Sequence, residues 1–211
     1  IEGTASPAQS VLIDGAGSGI FTDTQGTGGG GSILLYANTV TLQDGGTLSA
    51  TTSGTGNGGE IQVNAGTINL LGFASINTLS FLGDGSAGNI ALKATQQLTA
   101  TDSFLNSDAV EGTGHGGTIL LSSPTIRLNG GVLSTSTAGT GNAGNILLEG
   151  QQISLGASPS AATQGADLFA STSSSGQGGT ITLRGMGGSS SYAENVTIAG
   201  NSRLHTVTSA E

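Results

Sequence analysis

The chain has 211 residues, of which 39 are glycine, 3 are proline and none is cysteine, and its formal net charge is −9. The absence of cysteine excludes disulfides and thiolate metal sites, and four basic residues cannot form the positive surface that nucleic-acid binding requires. No apolar run of about 18 residues occurs, so no transmembrane helix is predicted.

A short motif recurs along the chain: a small residue, a glycine, any residue and then isoleucine. The isoleucines of this motif are Ile33, Ile61, Ile90, Ile119, Ile146 and Ile181. They follow one another at about 28 residues, with a longer last step, and a partial unit precedes the first. Self-similarity at a period of this length is typical of a solenoid.

Each unit contains three short segments in which apolar and polar residues alternate. In the unit that begins at Ile33, the first segment continues to Leu35, the second contains Val40 and Leu42, and the third begins at Leu48. Alternation with a period of two predicts strands with one buried face. The sequence therefore predicts a single all-β domain over residues 1–211, a parallel β-helix of about seven coils with three parallel sheets.

A small residue follows the third strand of every unit at the same distance. These residues are Thr24, Thr52, Ser80, Ala109, Thr137, Thr172 and Thr208. Because the coils of a solenoid place equivalent residues above one another, we expect them to form a stacked ladder.

The spacing G-x-G-x-x-G occurs at residues 139–144 and recurs in other units. In a dinucleotide-binding turn this spacing occurs once and opens a helix, whereas here a strand follows each time. We interpret the glycines as coil corners that need positive φ angles and leave little room for side chains. No nucleotide or other cofactor is predicted.

Carboxylates and histidines are the other candidates for chemistry. Asp44 and Asp102 occupy matching turns two coils apart, and Asp23 and Asp108 occupy matching positions three coils apart. Since neighbouring coils are separated by about 4.8 Å, neither pair converges on one point. The histidines, His115 and His205, also lie three coils apart. We therefore predict no catalytic residue and no metal ligand.

Two insertions interrupt the repeat, 156–167 between the second and third strands and 185–195 between the first and second. Insertions in solenoids often carry function, but we interpret these two as neutral surface loops, because neither contains a catalytic cluster; a functional insertion is the alternative. The residues predicted as candidates for contact with a partner are Phe21 and Phe169, which alternation points outward, Phe81 and Leu82, which replace polar turn residues, and Tyr192.

The stretches SVLIDGAGSGIFTDTQGTGGGGSILL and TVTLQDGGTLSATTSGTGNGGEIQV resemble the repeats of filamentous haemagglutinin-like exoproteins, the secreted partners of bacterial two-partner secretion systems. The resemblance covers essentially the whole chain. It implies a right-handed parallel β-helix, export through an outer-membrane barrel, and a place outside the cell or on the bacterial surface. The amino-terminal secretion domain of such exoproteins is not evident in this sequence.

We therefore expect an extracellular structural and adhesive rod that is not an enzyme. Its expected partners are the secretion barrel during export, cell-surface or matrix glycans, and further coils at its ends. Those coils belong either to flanking repeats of a longer chain or to other copies that stack into a filament. The alternative function is that of a carbohydrate-active β-helix enzyme, a polysaccharide lyase or hydrolase.

Overall fold

The computed structural model describes residues 7–208, and every regular element in that range is a β-strand. These residues contain no helix with the length and apolar character needed to cross a membrane. The strands are β1 (Ala8–Asp14), β2 (Gly19–Phe21), β3 (Ile33–Gln43), β4 (Thr47–Ser49), β5 (Ile61–Leu71), β6 (Ser75–Asn77), β7 (Ile90–Thr101), β8 (Phe104–Asn106), β9 (Thr118–Ser122), β10 (Thr125–Asn129), β11 (Val132–Ser134), β12 (Asn145–Glu149), β13 (Gln152–Gly156), β14 (Asp167–Phe169), β15 (Ile181–Arg184), β16 (Asn195–Ile198) and β17 (Arg203–His205).

The strands pair in parallel with the equivalent strands one coil before and one coil after, which confirms the predicted parallel β-helix. Strands of the second segment follow the order β1-β3-β5-β7-β10-β13-β16, and strands of the third form a separate sheet in the order β17-β14-β11-β8-β6-β4-β2. The number of complete coils is slightly below the prediction, because the coil of β1 and β2 lacks a first segment among the described residues.

The first and second segments share one hydrogen-bonded sheet, although three sheets were expected. In β3, β5 and β7 the backbone stays extended around the corner between these segments. In the next coil Pro124 separates β9 from β10, because it lacks an amide hydrogen for the ladder. The Pro124 carbonyl instead accepts hydrogen bonds from the amides of Gln151 and Gln152.

The core is a stack of aliphatic side chains that register with one another from coil to coil. In the third-segment sheet, Leu48, Ile76, Leu105, Leu133 and Leu168 pair in succession and are buried. Burying a side chain of this size stabilises the fold by about 1.5–3 kcal/mol. A coil therefore gains most of its stability from its neighbours above and below.

The glycine corners stack so closely that no side chain fits between coils. A Cβ added to Gly139 would overlap the carbonyl oxygen of Gly112, and one added to Gly144 would overlap that of Gly117. Among the glycines of the G-x-G-x-x-G stretches at 26–31, 54–59, 83–88, 112–117 and 139–144, only Gly83 and Gly112 have a positive φ, of 79° and 85°. The prediction that these glycines serve positive φ angles is therefore wrong for most of them, because the contact between stacked backbones excludes the side chain.

The predicted ladder of small residues is confirmed. Thr24, Thr52, Ser80, Ala109, Thr137, Thr172 and Thr208 are joined in sequence by parallel bridges. The hydroxyls at this corner are close to the glycine carbonyls, as where Ser80 Oγ donates to the carbonyl of Gly56 at 3.4 Å.

Core positions become exposed in the coil of β15, β16 and β17. Val196, Ile198 and Leu204 pair with the buried residues Ile153, Leu155 and Leu168, but they lie at the open face of the stack. A further coil placed on this face would bury them.

Candidate functional site

The predicted contact residues do not assemble into one site. Phe21, Phe81, Leu82 and Tyr192 are exposed, with Tyr192 at 93%. Phe21 lies on β2, whereas Phe81 and Leu82 lie in the corner after β6 and Tyr192 lies in the loop between β15 and β16. They occupy different sides of the coils, so each would meet a partner separately.

Phe169, the fifth candidate, points outward from β14 but is covered in part. Its ring stacks on that of His205, its register partner on β17, with the centroids 4.9 Å apart and the planes at 20°. Residue 169 is only half-buried, so one side of the pair still meets solvent.

The insertion between β13 and β14 is a folded loop that lies along the rod. The Ser158 amide donates to the carbonyl of Gln164 at 2.7 Å, and Ser158 Oγ accepts hydrogen bonds from the amides of Ser160 (3.1 Å) and Ala161 (2.9 Å). These bonds close the loop on itself. The loop is therefore ordered by its own hydrogen bonds.

Contacts to other coils fix the position of the loop. Towards β7, Ser160 Oγ donates to Asp102 Oδ2 at 2.7 Å. Towards β17, Asn201 Nδ2 donates to the carbonyl of Thr163 at 3.2 Å. The loop therefore spans from the corner after β7 to the corner before β17, parallel to the stacking direction.

A groove of about 780 Å³ lies between this loop and the outer face of the third-segment sheet. We call it the side groove. Its lining includes Phe73, Asp102, Phe104, Val132, Ser160, Thr163, Gln164, Asp167, Asn201 and Arg203. The volume is typical of small-molecule binding sites, which range over about 300–1,000 Å³.

An aromatic pair forms one end of the side groove. The rings of Phe73 and Phe104 stack with their centroids 6.4 Å apart and their planes at 18°. Phe73 is 64% exposed and has a φ of 67°, a conformation that bulky residues rarely adopt. The equivalent position of the preceding coil is Gly45, with a φ of 89°.

The charged groups of the side groove are two carboxylates and one guanidinium. Arg203 donates to both carboxylate oxygens of Asp167, from Nε at 3.2 Å and from Nη2 at 2.9 Å. This contact raises the pKa of the Arg203 guanidinium above its ordinary value. Asp102 has the Ser160 hydroxyl as a hydrogen-bond donor. The groove is therefore slightly acidic and rich in hydrogen-bonding groups.

The other candidates from the sequence take structural roles between coils. Asp23 accepts hydrogen bonds from Ser49 Oγ at 2.6 Å and from the Thr51 amide at 2.8 Å. His115 Nδ1 accepts a hydrogen bond of 2.8 Å from the amide of Asn142. Across residues 7–208, no three His, Asp or Glu side chains converge as metal ligands would.

The structure is a parallel β-helix with a groove beside a folded loop. Comparison with protein-family models, with curated proteins and with solved structures finds no match to this chain. The repeat carries no signal for the groove, because the insertion contacts Asp102 and Asn201 in other coils. One sequence feature does point to the groove: Phe73 is an aromatic residue at a turn position where the preceding repeat has glycine.

Proposed function

We propose that this chain is part of a bacterial surface exoprotein, in which a stiff β-helix carries an adhesive site on its side. The observation that carries this proposal is the side groove, since its loop is folded and held against three coils of the rod. A continuous aliphatic stack holds those coils in place, and a site on such a rigid support keeps its shape.

The exposed core positions of the last described coil support the rod part of the proposal. Val196, Ile198 and Leu204 would be buried by another coil, and the partner whose shape and strand edge fit this face is a further parallel β-helix coil. It comes from flanking repeats or from a second copy. The resemblance to filamentous haemagglutinin-like exoproteins is consistent with either source and with export to the cell surface.

Attachment under flow tests the adhesive part. Beads coated with the 211-residue chain are washed over mucin, plant cell-wall polysaccharide and bacterial exopolysaccharide, beside beads coated with an unrelated acidic protein of similar charge. The proposal expects retention on at least one surface above the control. Retention no greater than that of the control beads on all three surfaces contradicts the proposal. For the export part, the flanking sequence of the parent gene should encode a secretion domain upstream and further repeats.

A carbohydrate-active enzyme is the second candidate, because the side groove contains two carboxylates, Asp102 and Asp167. They belong to coils two apart, a separation of about 10 Å along the rod. A reducing-end assay on the same polysaccharides, repeated with Asp167→Asn, distinguishes the candidates. Turnover that this variant abolishes establishes the enzyme and rejects the purely adhesive role.

A further inference from the structure

We propose that the side groove binds a neutral oligosaccharide, laid along the rod with one sugar ring against Phe73. This inference rests on the proposed adhesive function and names the ligand class of its site. The proposal rests on an aromatic pair at one end of the groove, in which Phe73 is exposed and has a positive φ. Polar side chains such as Ser160, Thr163 and Gln164 lie elsewhere in the lining.

The backbone and exposure of Phe73 favour a contact role for its ring. The other non-glycine residues with positive φ in the described chain are Asp44, Asp102 and Asn201, which are types that tolerate this region. Phenylalanine does not tolerate it well, and the ring contributes little to the core because it is 64% exposed. Local strain without a packing benefit is typical of functional positions.

The polar lining matches a sugar better than a peptide or an aromatic ligand. A pyranose has an apolar face, which stacks on an aromatic ring, and a rim of hydroxyls, which both donate and accept hydrogen bonds. Besides Phe73 and Phe104, the groove lining includes Thr163, Gln164 and Asn201. Amides and hydroxyls of this kind can satisfy such a rim in either direction.

The charges exclude acidic glycans and phosphates as the preferred ligand. The only cation in the groove lining is Arg203, and both of its hydrogen-bonding contacts go to Asp167. Asp102 adds a second negative charge, and the whole chain carries −9. A sulfated, phosphorylated or uronate-rich ligand would meet repulsion here, whereas an uncharged one would not.

The direction of the groove favours a linear chain. The loop that forms its wall is pinned at Asp102 and again at Asn201, so the groove runs parallel to the stacking direction. Equivalent side chains recur there at about 4.8 Å, a spacing similar to the length of one sugar unit in an extended chain. Successive rings could therefore meet successive coils.

Calorimetry and amide NMR on the 211-residue chain test the inference. The probes are neutral hexasaccharides of β-linked glucose, mannose, xylose and galactose, with oligogalacturonate and a heparin octasaccharide as charged comparators. We expect saturable binding of at least one neutral probe, with shifts at Phe104, Thr163 and Gln164, and weaker binding of both charged probes.

The decisive variant is Phe73→Gly, which restores the residue type found at Gly45 and should fold at least as well as the parent. We expect it to weaken binding by at least about tenfold. Gln164→Ala is a second variant, since Gln164 lies on the exposed loop. The control is Tyr36→Asn, which removes another exposed aromatic ring and installs the residue of its register partner, Asn64.

The outcomes separate this inference from the proposed function. Failure of every neutral probe to bind at millimolar concentration overturns the inference, as does equal binding by Phe73→Gly and the parent. Retention of beads in the flow assay then still supports adhesion, at another surface. Preference for a charged probe also overturns the inference.

Discussion

Asp108 ties its coil to the next by accepting a hydrogen bond of 2.7 Å from Ser134 Oγ at Oδ1, which also accepts one of 2.6 Å from the amide of Ser136. Asp23 forms the same pair of contacts with Ser49 and Thr51 in a coil nearer the N-terminal end. Burial raises the pKa of the Asp108 carboxyl above its ordinary value, because the loss of water outweighs the two hydrogen bonds.

This shift predicts that Asp108 makes the fold less stable as pH rises. The folded state binds a proton more readily than the unfolded state, so the favourable contribution is complete below the ordinary value of 3.8 and is lost as pH rises through the raised pKa. Asp108→Asn keeps an acceptor for Ser134 and has no charge to bury. Urea unfolding should therefore show the parent losing stability relative to this variant as pH rises from 3.8 towards neutrality.

Two further comparisons test whether burial of the Asp108 carboxyl causes this pH dependence. Asp108→Ala, which removes the acceptor, should be less stable than Asp108→Asn at every pH. A stability difference between parent and Asp108→Asn that stays constant with pH, or that changes in favour of the parent as pH rises, contradicts the assigned cause.

The coil architecture was predictable because a repeat places each residue against copies of itself. Ile33 pairs with Ile61, and Thr24 bridges to Thr52, as the spacing alone indicates. The side groove was not predictable in the same way. The contact from Ser160 to Asp102 joins residues 58 positions apart in a segment that departs from the repeat, so no periodic signal encodes it.

The glycine corners show a second limit of the sequence. The sequence correctly places Gly139 at a corner of the coil. It does not show whether glycine is needed there for a positive φ or because the backbone of the neighbouring coil leaves no room for a side chain. The ordinary φ of Gly139 and the carbonyl of Gly112 at the position of its missing side chain identify crowding as the cause. Equivalent glycines can therefore differ in tolerance according to which neighbour stacks on them.

Alanine substitution at two equivalent glycines tests this explanation. In Gly139→Ala the new methyl group would overlap the Gly112 carbonyl, so we expect a loss of about 2 kcal/mol or more in the free energy of unfolding. Gly26 occupies the same column, with nothing within 4 Å of an added Cβ. Gly26→Ala should change stability by less than about 0.5 kcal/mol. Equal effects in urea melts would mean that backbone entropy, and not crowding, controls the corner.

Stacked aliphatic side chains of the third-segment sheet should differ in how much their truncation to alanine lowers the free energy of unfolding. Leu105 is fully buried between Ile76 and Leu133, so Leu105→Ala should cost about 2–5 kcal/mol. Leu204 belongs to the same column but is 36% exposed at the open face. Leu204→Ala should cost about 1 kcal/mol or less. Thermal or urea unfolding measures both, and a similar cost at the two positions would show that the open face is covered in solution, as stacking of copies would do.

The hydrogen bond from Ser160 to Asp102 predicts the order of the loop beside the side groove. Ser160→Ala removes the donor but leaves the amide contact between Ser160 and Ser158, so the loop should loosen from β7 without unfolding. We expect hydrogen exchange to accelerate in peptides that cover residues 158–166, while global stability falls by about 1 kcal/mol or less. Ser190→Ala, in the insertion between β15 and β16, is the matched control and should leave that exchange unchanged. Unaltered exchange in Ser160→Ala would mean that the internal bonds of the loop, and not Asp102, hold the groove wall in place.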